Sequence, residues 1–245
     1  MTAVTFRFYE ELNDFLKPHQ RKREFRHALM HRTSLKDLIE SLGVPHTEVE
    51  VILVNGESVG FDRIVEDGDR IAVYPMFEAL DVTPLLRLRE RPLRDPRFAL
   101  DVQLGALARY LRLCGFDALY RNDWGDEELA RRAVADRRVL LTRDRELLKR
   151  RMITHGYFVR ADRPRAQLAE VCQRLDLWSV IEPYRRCTLC NGLLDVVDKA
   201  TVAELLPLQT RRCFDDFKRC TSCGHIYWRG SHVARMDELL AGLRR

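Results

Sequence analysis

Two cysteine pairs, Cys187-x2-Cys190 and Cys220-x2-Cys223, stand near the end of a 245-residue chain with residues 191–219 between them. Four thiolates on two short knuckles suit tetrahedral Zn²⁺ and leave no coordination position open to a substrate, so the expected chemistry is structural zinc. Asn191-Gly192 and Gly224 follow the knuckles and tolerate tight turns. A redox CxxC would normally lie between strand and helix of a βαβ unit, and iron-sulfur sites use tighter or differently staggered spacing. Cys213 has no knuckle partner, while Cys114 and Cys172 fall within helical patterns as core thiols.

A second set of residues is acidic. Asp101 directly follows the apolar run FAL, Asp123 and Asp126 follow DALYR, and Asp144 follows VLLT. Carboxylates brought together repel and raise one another's pKa unless a cation sits among them. Hard oxygen ligands favour Mg²⁺ or Mn²⁺, which keep several waters and accept phosphate oxygens. Two such ions about 3.5–4 Å apart activate water and stabilise a leaving oxygen, which is the chemistry of phosphodiester hydrolysis. Each acid also has a structural use: Asp126 opens DEELARRA, Asp144 precedes RELLKRR, and Asp101 precedes a helix beginning at Val102, so all three could cap helices.

These carboxylates matter only if strand ends present them on one edge. From 97 to 176 apolar runs (RFALDV, FDALYR, RVLLTRD, ITHGYFVR) alternate with helical patterns (VQLGALARYLRLCG, DEELARRAVADRR, RELLKRR, PRAQLAEVCQRLDL). Such alternation implies a parallel sheet covered by helices, whose ligands bind beyond the carboxyl ends of the strands. Leu104, Leu107, Ala108 and Leu111 form the core stripe of the first helix, and Arg109 and Arg112 share another. With Arg143 they are the expected phosphate contacts through bidentate hydrogen bonds, ion pairing with the acids being the alternative.

The N-terminal segment has a different pattern. Val4, Phe6 and Phe8 alternate as in a half-buried strand, TSLKDLIESLGV reads as a helix capped by Thr33 or Ser34 and stopped by Gly43, and turns at Asn55-Gly56 and Asp67-Gly68 separate two further strands. VNGESV and EDGDRIAVYP resemble the ubiquitin-like β-grasp fold, and among its members the sulfur carriers of molybdopterin and thiazole synthesis. Those carriers end in a free Gly-Gly. Here the chain continues as PMFEALDVTP, so sulfur transfer is not expected and a docking module is. DVTPLLRLRERPLRDPRF, with three prolines, reads as a linker.

FALDVQLGALARYLRLCGFDALYR, DWGDEELARRAVADRRVLLTRDRELLKRR and YFVRADRPRAQLAEV together resemble the PIN-like ribonucleases, and within them the group named after the C-terminal domain of the exonuclease Mut-seven, in which a β-grasp module can precede and a zinc ribbon follow. The resemblance implies metal-ligating acids at Asp101, Asp126 and Thr142-Arg143-Asp144. A fourth acid is open among Asp123, Glu127, Glu128 and Glu146.

The fold class expected is multidomain, α+β and α/β. A ubiquitin-like domain occupies 1–80, a linker 81–96, a PIN-like domain 97–180, and a zinc ribbon with C-terminal tail 181–245. With 46% apolar and 32% charged residues the chain can build packed cores. No apolar run approaches the ~18–20 residues of a membrane span and MTAVTFRFYE lacks a signal peptide's order, so a cytoplasmic, non-membrane protein is expected. The net charge of +5 is carried mostly by arginine, which suits phosphate. Around the ribbon, aromatics (Tyr184, Tyr227, Trp228) lie among cations in a pattern suited to single-stranded nucleic acid, with packing of the small ribbon the competing use. The expected function is metal-dependent hydrolysis of RNA, with structural Zn²⁺, catalytic Mg²⁺ or Mn²⁺, RNA as substrate and a protein partner at the β-grasp domain. The alternative is a non-catalytic RNA-binding or ribosome-associated adaptor. Oligomeric state is left open.

Overall fold

The computed structural model describes residues 2–75 and 96–228; the expected linker up to residue 95, Arg229 and His232 lie outside them. The chain divides into two compact units, Met1–Gln103 with Asp123–Val159 and Leu104–Asn122 with Arg160–Arg245.

The N-terminal part of the first unit runs β1 (Ala3–Phe8), β2 (Phe25–Ala28), α1 (Leu35–Ser41), β3 (Val51–Val54), β4 (Glu57–Val59) and β5 (Arg70–Tyr74). The sheet order is β2-β1-β5-β3-β4, with β1 and β5 parallel and the other pairs antiparallel. This is the ubiquitin-like grasp. Its β1 buries Val4, Phe6 and Phe8, as the two-residue period requires. Ser34 caps α1, its hydroxyl accepting the Asp37 N–H at 3.2 Å, and Gly43 at φ +99° ends the helix in a backbone conformation that β-carbons disfavour.

The remaining elements are β6 (Phe98–Leu100), α2 (Gly105–Leu113), β7 (Ala118–Tyr120), α3 (Asp126–Ala135), β8 (Val139–Thr142), α4 (Arg145–Lys149), β9 (Gly156–Phe158) and α5 (Pro164–Arg174), then β10 (Leu194–Val197), α6 (Lys199–Val202), α7 (Leu208–Cys213), β11 (Phe217–Cys220) and β12 (Ile226–Trp228). In the first unit β6, β8 and β9 pair in parallel in that order. The strands are short and β8 is buried throughout, the pattern of a sheet covered on both faces.

In the first unit α3 packs Leu129, Ala130 and Ala133 onto Ala99 and Leu140, and α4 adds Leu147 and Leu148. Phe158 touches both this cluster and the ubiquitin-like core, so the two modules of that unit share one apolar residue. In the second unit, Pro164 opens α5 at its first turn, as expected. The C-terminal three-stranded sheet β10-β11-β12 is antiparallel throughout. Trp228 packs on Val202, Leu206 and Phe217, where the small ribbon needs core.

Candidate active site and metal centre

The register of β6 against β8 pairs Leu100 with Leu141. The next residue pair along is therefore Asp101 and Thr142, and their side chains meet: Thr142 Oγ1 donates to Asp101 Oδ2 at 2.6 Å. The same hydroxyl accepts the Asp144 backbone N–H at 2.9 Å, which fixes its proton toward the carboxylate. Asp101 is 6% exposed and Thr142 is fully buried. Asp101 Oδ1 accepts the Val102 N–H at 2.6 Å. Each Asp101 oxygen thus carries one hydrogen bond among the described residues, and a carboxylate has about four acceptor sites.

Asp144 caps α4: its Oδ1 accepts the N–H groups of Glu146 at 2.8 Å and Leu147 at 3.4 Å. The structural use weighed for this residue is therefore real. It occupies one oxygen only, and among the described residues Oδ2 has no hydrogen-bond partner. Asp126 is placed otherwise. Gly125, not Asp126, is the N-cap of α3, and the Asp126 carboxylate is half exposed and lies 3.7 Å from Arg150 Nη2. Among the described residues only the four cysteines bring three or more possible ligand atoms within 4.8 Å of one another. The three carboxylates expected to converge do not make such a cluster. The strand ends unite Asp101 and Asp144 through Thr142, whereas Asp126 sits at a helix start facing a cation.

The fourth-acid candidates also separate. Glu128 is ion-paired with Arg131 and accepts from Arg132 Nε at 2.8 Å; the Arg132 hydrogen bond, opposed by slight burial and aided by Arg131, holds its carboxyl below the usual range. Glu146 pairs with Lys149 at 2.7 Å. Asp123 and Glu127 are exposed, in the loop before α3 and in its first turn.

Of the arginines expected to meet phosphate, Arg143 is half-buried beside Asp144 and Arg109 is exposed on α2. Arg112 is a correction. It is 4% exposed and donates to the carbonyls of Ala118 at 2.8 Å, Thr188 at 3.1 Å and Leu189 at 2.9 Å, so its guanidinium is a strut between β7 and the first knuckle and not a substrate contact. Burial lowers its pKa from the usual guanidinium value, opposed by the charge of Cys187, Cys190 and Asp117. The helical stripe showed that Arg112 differs from the core leucines, but not that the buried side held unpaired carbonyls.

The cysteines assemble as expected. Sγ–Sγ distances are 3.6 Å for Cys187–Cys223 and 3.4 Å for Cys190–Cys220. Tetrahedral ligands at a Zn–S distance of about 2.3 Å would stand about 3.8 Å apart, so the cluster fits the ion with a slight expansion. The N–H groups of Cys190 and Cys223 each point at the first sulfur of their own knuckle, at 3.5 Å. Asn191 and Gly224 follow the knuckles at φ +72° and +73°, the left-handed turn that small polar residues and glycine accept. Gly192, expected to make that turn, serves instead by lacking a β-carbon, which would stand 2.9 Å from Cys220 Sγ.

Burial pushes the Cys187 thiol up, but hydrogen bonds from Tyr227 and the Cys190 and Leu189 backbone outweigh it and bring it to about 7. Burial sends Cys190 to about 12. Tyr227 Oη lies 3.1 Å from Cys187 Sγ and accepts the Thr188 N–H at 3.0 Å, so this ring packs and orients the ribbon. The buried Cys172 thiol is raised to about 12 by desolvation and by Cys114, as suits an inert core pair.

The Mut7-C RNAse domain model matches residues 96–240, more than half of the chain, and the Mut7-C ubiquitin model matches residues 1–81. The chain belongs to the Mut7-C RNAse domain family. Its domain order, ubiquitin-like then RNase, is the one the motifs led us to expect, and the matched domain points to a ribonuclease-type function. Searches of curated proteins and of solved structures returned no match. Among the described residues no helix is long and apolar enough to cross a membrane.

Proposed function

We propose that the protein is a metal-dependent ribonuclease whose cation site is built on Asp101 and Asp144. The observation that supports the reading is the Asp101–Thr142–Asp144 array, in which one buried hydroxyl donates to the Asp101 carboxylate and accepts the backbone N–H of Asp144, whose own carboxylate caps the next helix. Mg²⁺ is commonly held by one or two carboxylates plus waters and substrate phosphate, so a two-acid core fits it without a preformed cage. When bound, Mg²⁺ or Mn²⁺ supplies Lewis acidity and lowers the pKa of its water. Thr142 orients Asp101 by donating to its Oδ2. Asp144 holds α4 with Oδ1 and offers Oδ2. Asp126, at the start of α3 and facing Arg150, is left outside this two-acid core.

The test is cleavage of single-stranded RNA in Mg²⁺ or Mn²⁺ by the zinc-loaded chain. Asp101→Asn and Asp144→Asn are each expected to lower turnover by about a hundredfold or more, in the range of lost metal-site groups. Unchanged turnover in both variants contradicts the mechanism. Capping by Asp144 and pairing of Asp126 favour a second reading, a non-catalytic RNA-binding adaptor. RNA binding that persists in EDTA without cleavage would select it. RNA as substrate and a protein partner for the ubiquitin-like domain belong to the same proposal.

A further inference from the structure

We infer that Arg145 is a substrate-phosphate contact of the RNase site, set in place by Phe15 of the ubiquitin-like domain. This inference rests on the ribonuclease reading and adds a role for the N-terminal domain. Arg145 directly follows Asp144, as the first residue of α4. Its guanidinium carbon stands 5.0 Å from the centroid of the Phe15 ring and 5.4 Å from that of Phe158, and the two rings meet edge to face at 5.5 Å. Phe15 lies 6% exposed in the ubiquitin-like core and Phe158 belongs to β9. Both rings are fixed by packing, so they restrict where the long arginine side chain can go.

Stacking uses the faces of a guanidinium and leaves its in-plane N–H donors available. Among the described residues, no hydrogen bond or ion pair engages the Arg145 donors, and the residue is exposed. Nearby cations are already committed: Arg150 faces Asp126, and Lys149 pairs with Glu146. A guanidinium held on two rings without a hydrogen-bond partner among the described residues, one residue along the chain from Asp144 with its open oxygen, suits a phosphodiester, whose two non-bridging oxygens can divide between the fork and a cation.

The ubiquitin-like domain is held against this part of the first unit by more than one ring contact. Glu48 Oε1, 3% exposed as a residue, accepts the Phe158 N–H at 2.6 Å, and His46 Nε2 lies 2.7 Å from the Ile153 carbonyl oxygen while Nδ1 meets Glu40 at 2.6 Å. A carbonyl oxygen only accepts, so His46 donates there. Polar groups this buried fix orientation, because losing either partner leaves an unsatisfied group. Phe15 is thereby presented to Arg145 by a docked module and not by a loose tether.

The experiment measures anisotropy of a short fluorescein-labelled oligouridylate bound to the full, zinc-loaded chain in an Asp101→Asn background without added divalent cation. Arg145→Ala is expected to raise Kd about tenfold and to reduce the slope of log K against log salt by about 0.7, the loss of one phosphate contact on a single strand. Arg145→Lys keeps the charge, and so the slope, but loses the fork and weakens binding a few-fold. Phe15→Leu keeps an apolar side chain in the core but removes the ring; it is expected to weaken binding a few-fold in the Arg145 protein and not at all once Arg145 is alanine. Wild-type Kd and slope in Arg145→Ala overturn the inference. A Phe15→Leu effect that persists undiminished beside Arg145→Ala overturns the positioning role. The ribonuclease reading is judged separately, by cleavage in Mn²⁺ with Asp101 intact, so a chain that binds through Arg145 but does not cleave sinks that reading alone.

Discussion

Thr142 is the residue on which the site geometry turns. Its hydroxyl is buried and engaged twice, as donor to Asp101 and as acceptor from the Asp144 amide. Thr142→Val keeps the shape but leaves a buried carboxylate oxygen without that donor, at about 1–3 kcal/mol. We expect a lowered melting temperature and a tenfold or greater fall in turnover, with Thr142→Ser restoring most of both; calorimetry and initial rates check this. Asp101 and Asp144 were legible in the sequence because each ends an apolar run, and the parallel register then leaves them little freedom. Asp126 was legible as an acid at a helix start, but its pairing with Arg150 was not, since nothing in the local pattern shows which distant cation a half-exposed side chain meets.

At the scale of elements, the knuckles and α2 are one construction. Arg112 ties the α2 helix to the Ala118, Thr188 and Leu189 carbonyls, Asn191 accepts the Ala118 N–H at 3.0 Å, and its side-chain nitrogen donates to Asp117 at 2.7 Å. Hydrogen bonds from a charged group are worth about 1.5–3 kcal/mol each. Arg112→Ala should therefore destabilise the second unit by at least about 3 kcal/mol and loosen zinc, read by denaturant unfolding and by chelator-driven zinc release, while RNA affinity per folded molecule is unchanged. Cys190→Ser should abolish stoichiometric zinc, measured by elemental analysis. Zinc needs thiolates, so protons compete with it. With the Cys187 thiol near 7 and Cys190 near 12 before metal binds, zinc affinity should rise with pH across this range, measured by chelator competition. The CxxC spacing made this centre readable in advance. The Arg112 strut was hidden because helical periodicity separates apolar from polar positions and does not distinguish a solvent-facing arginine from one satisfied by buried carbonyls.

At the scale of the molecule, the first unit joins a ubiquitin-like sheet to the strands that carry the acids, and Phe158 belongs to both apolar clusters. Glu48→Ala removes the partner of the half-buried Phe158 N–H and should raise amide hydrogen exchange in β9 and in the strands of the ubiquitin-like sheet together, whereas independent modules would respond only locally. The alternation of strands and helices and the N-terminal β-grasp pattern were readable because each has its own period. The docking of one on the other was not, because it depends on residues such as His46 and Ile153 that are far apart in the chain. The most direct measurement is the anomalous scattering of crystals of the zinc-loaded protein soaked in Mn²⁺. The proposed mechanism predicts a manganese peak about 2.0–2.2 Å from carboxylate oxygens of Asp101 and Asp144, apart from the zinc among Cys187, Cys190, Cys220 and Cys223. A saturating soak that leaves both carboxylates bare, with scattering at the cysteines alone, would contradict it.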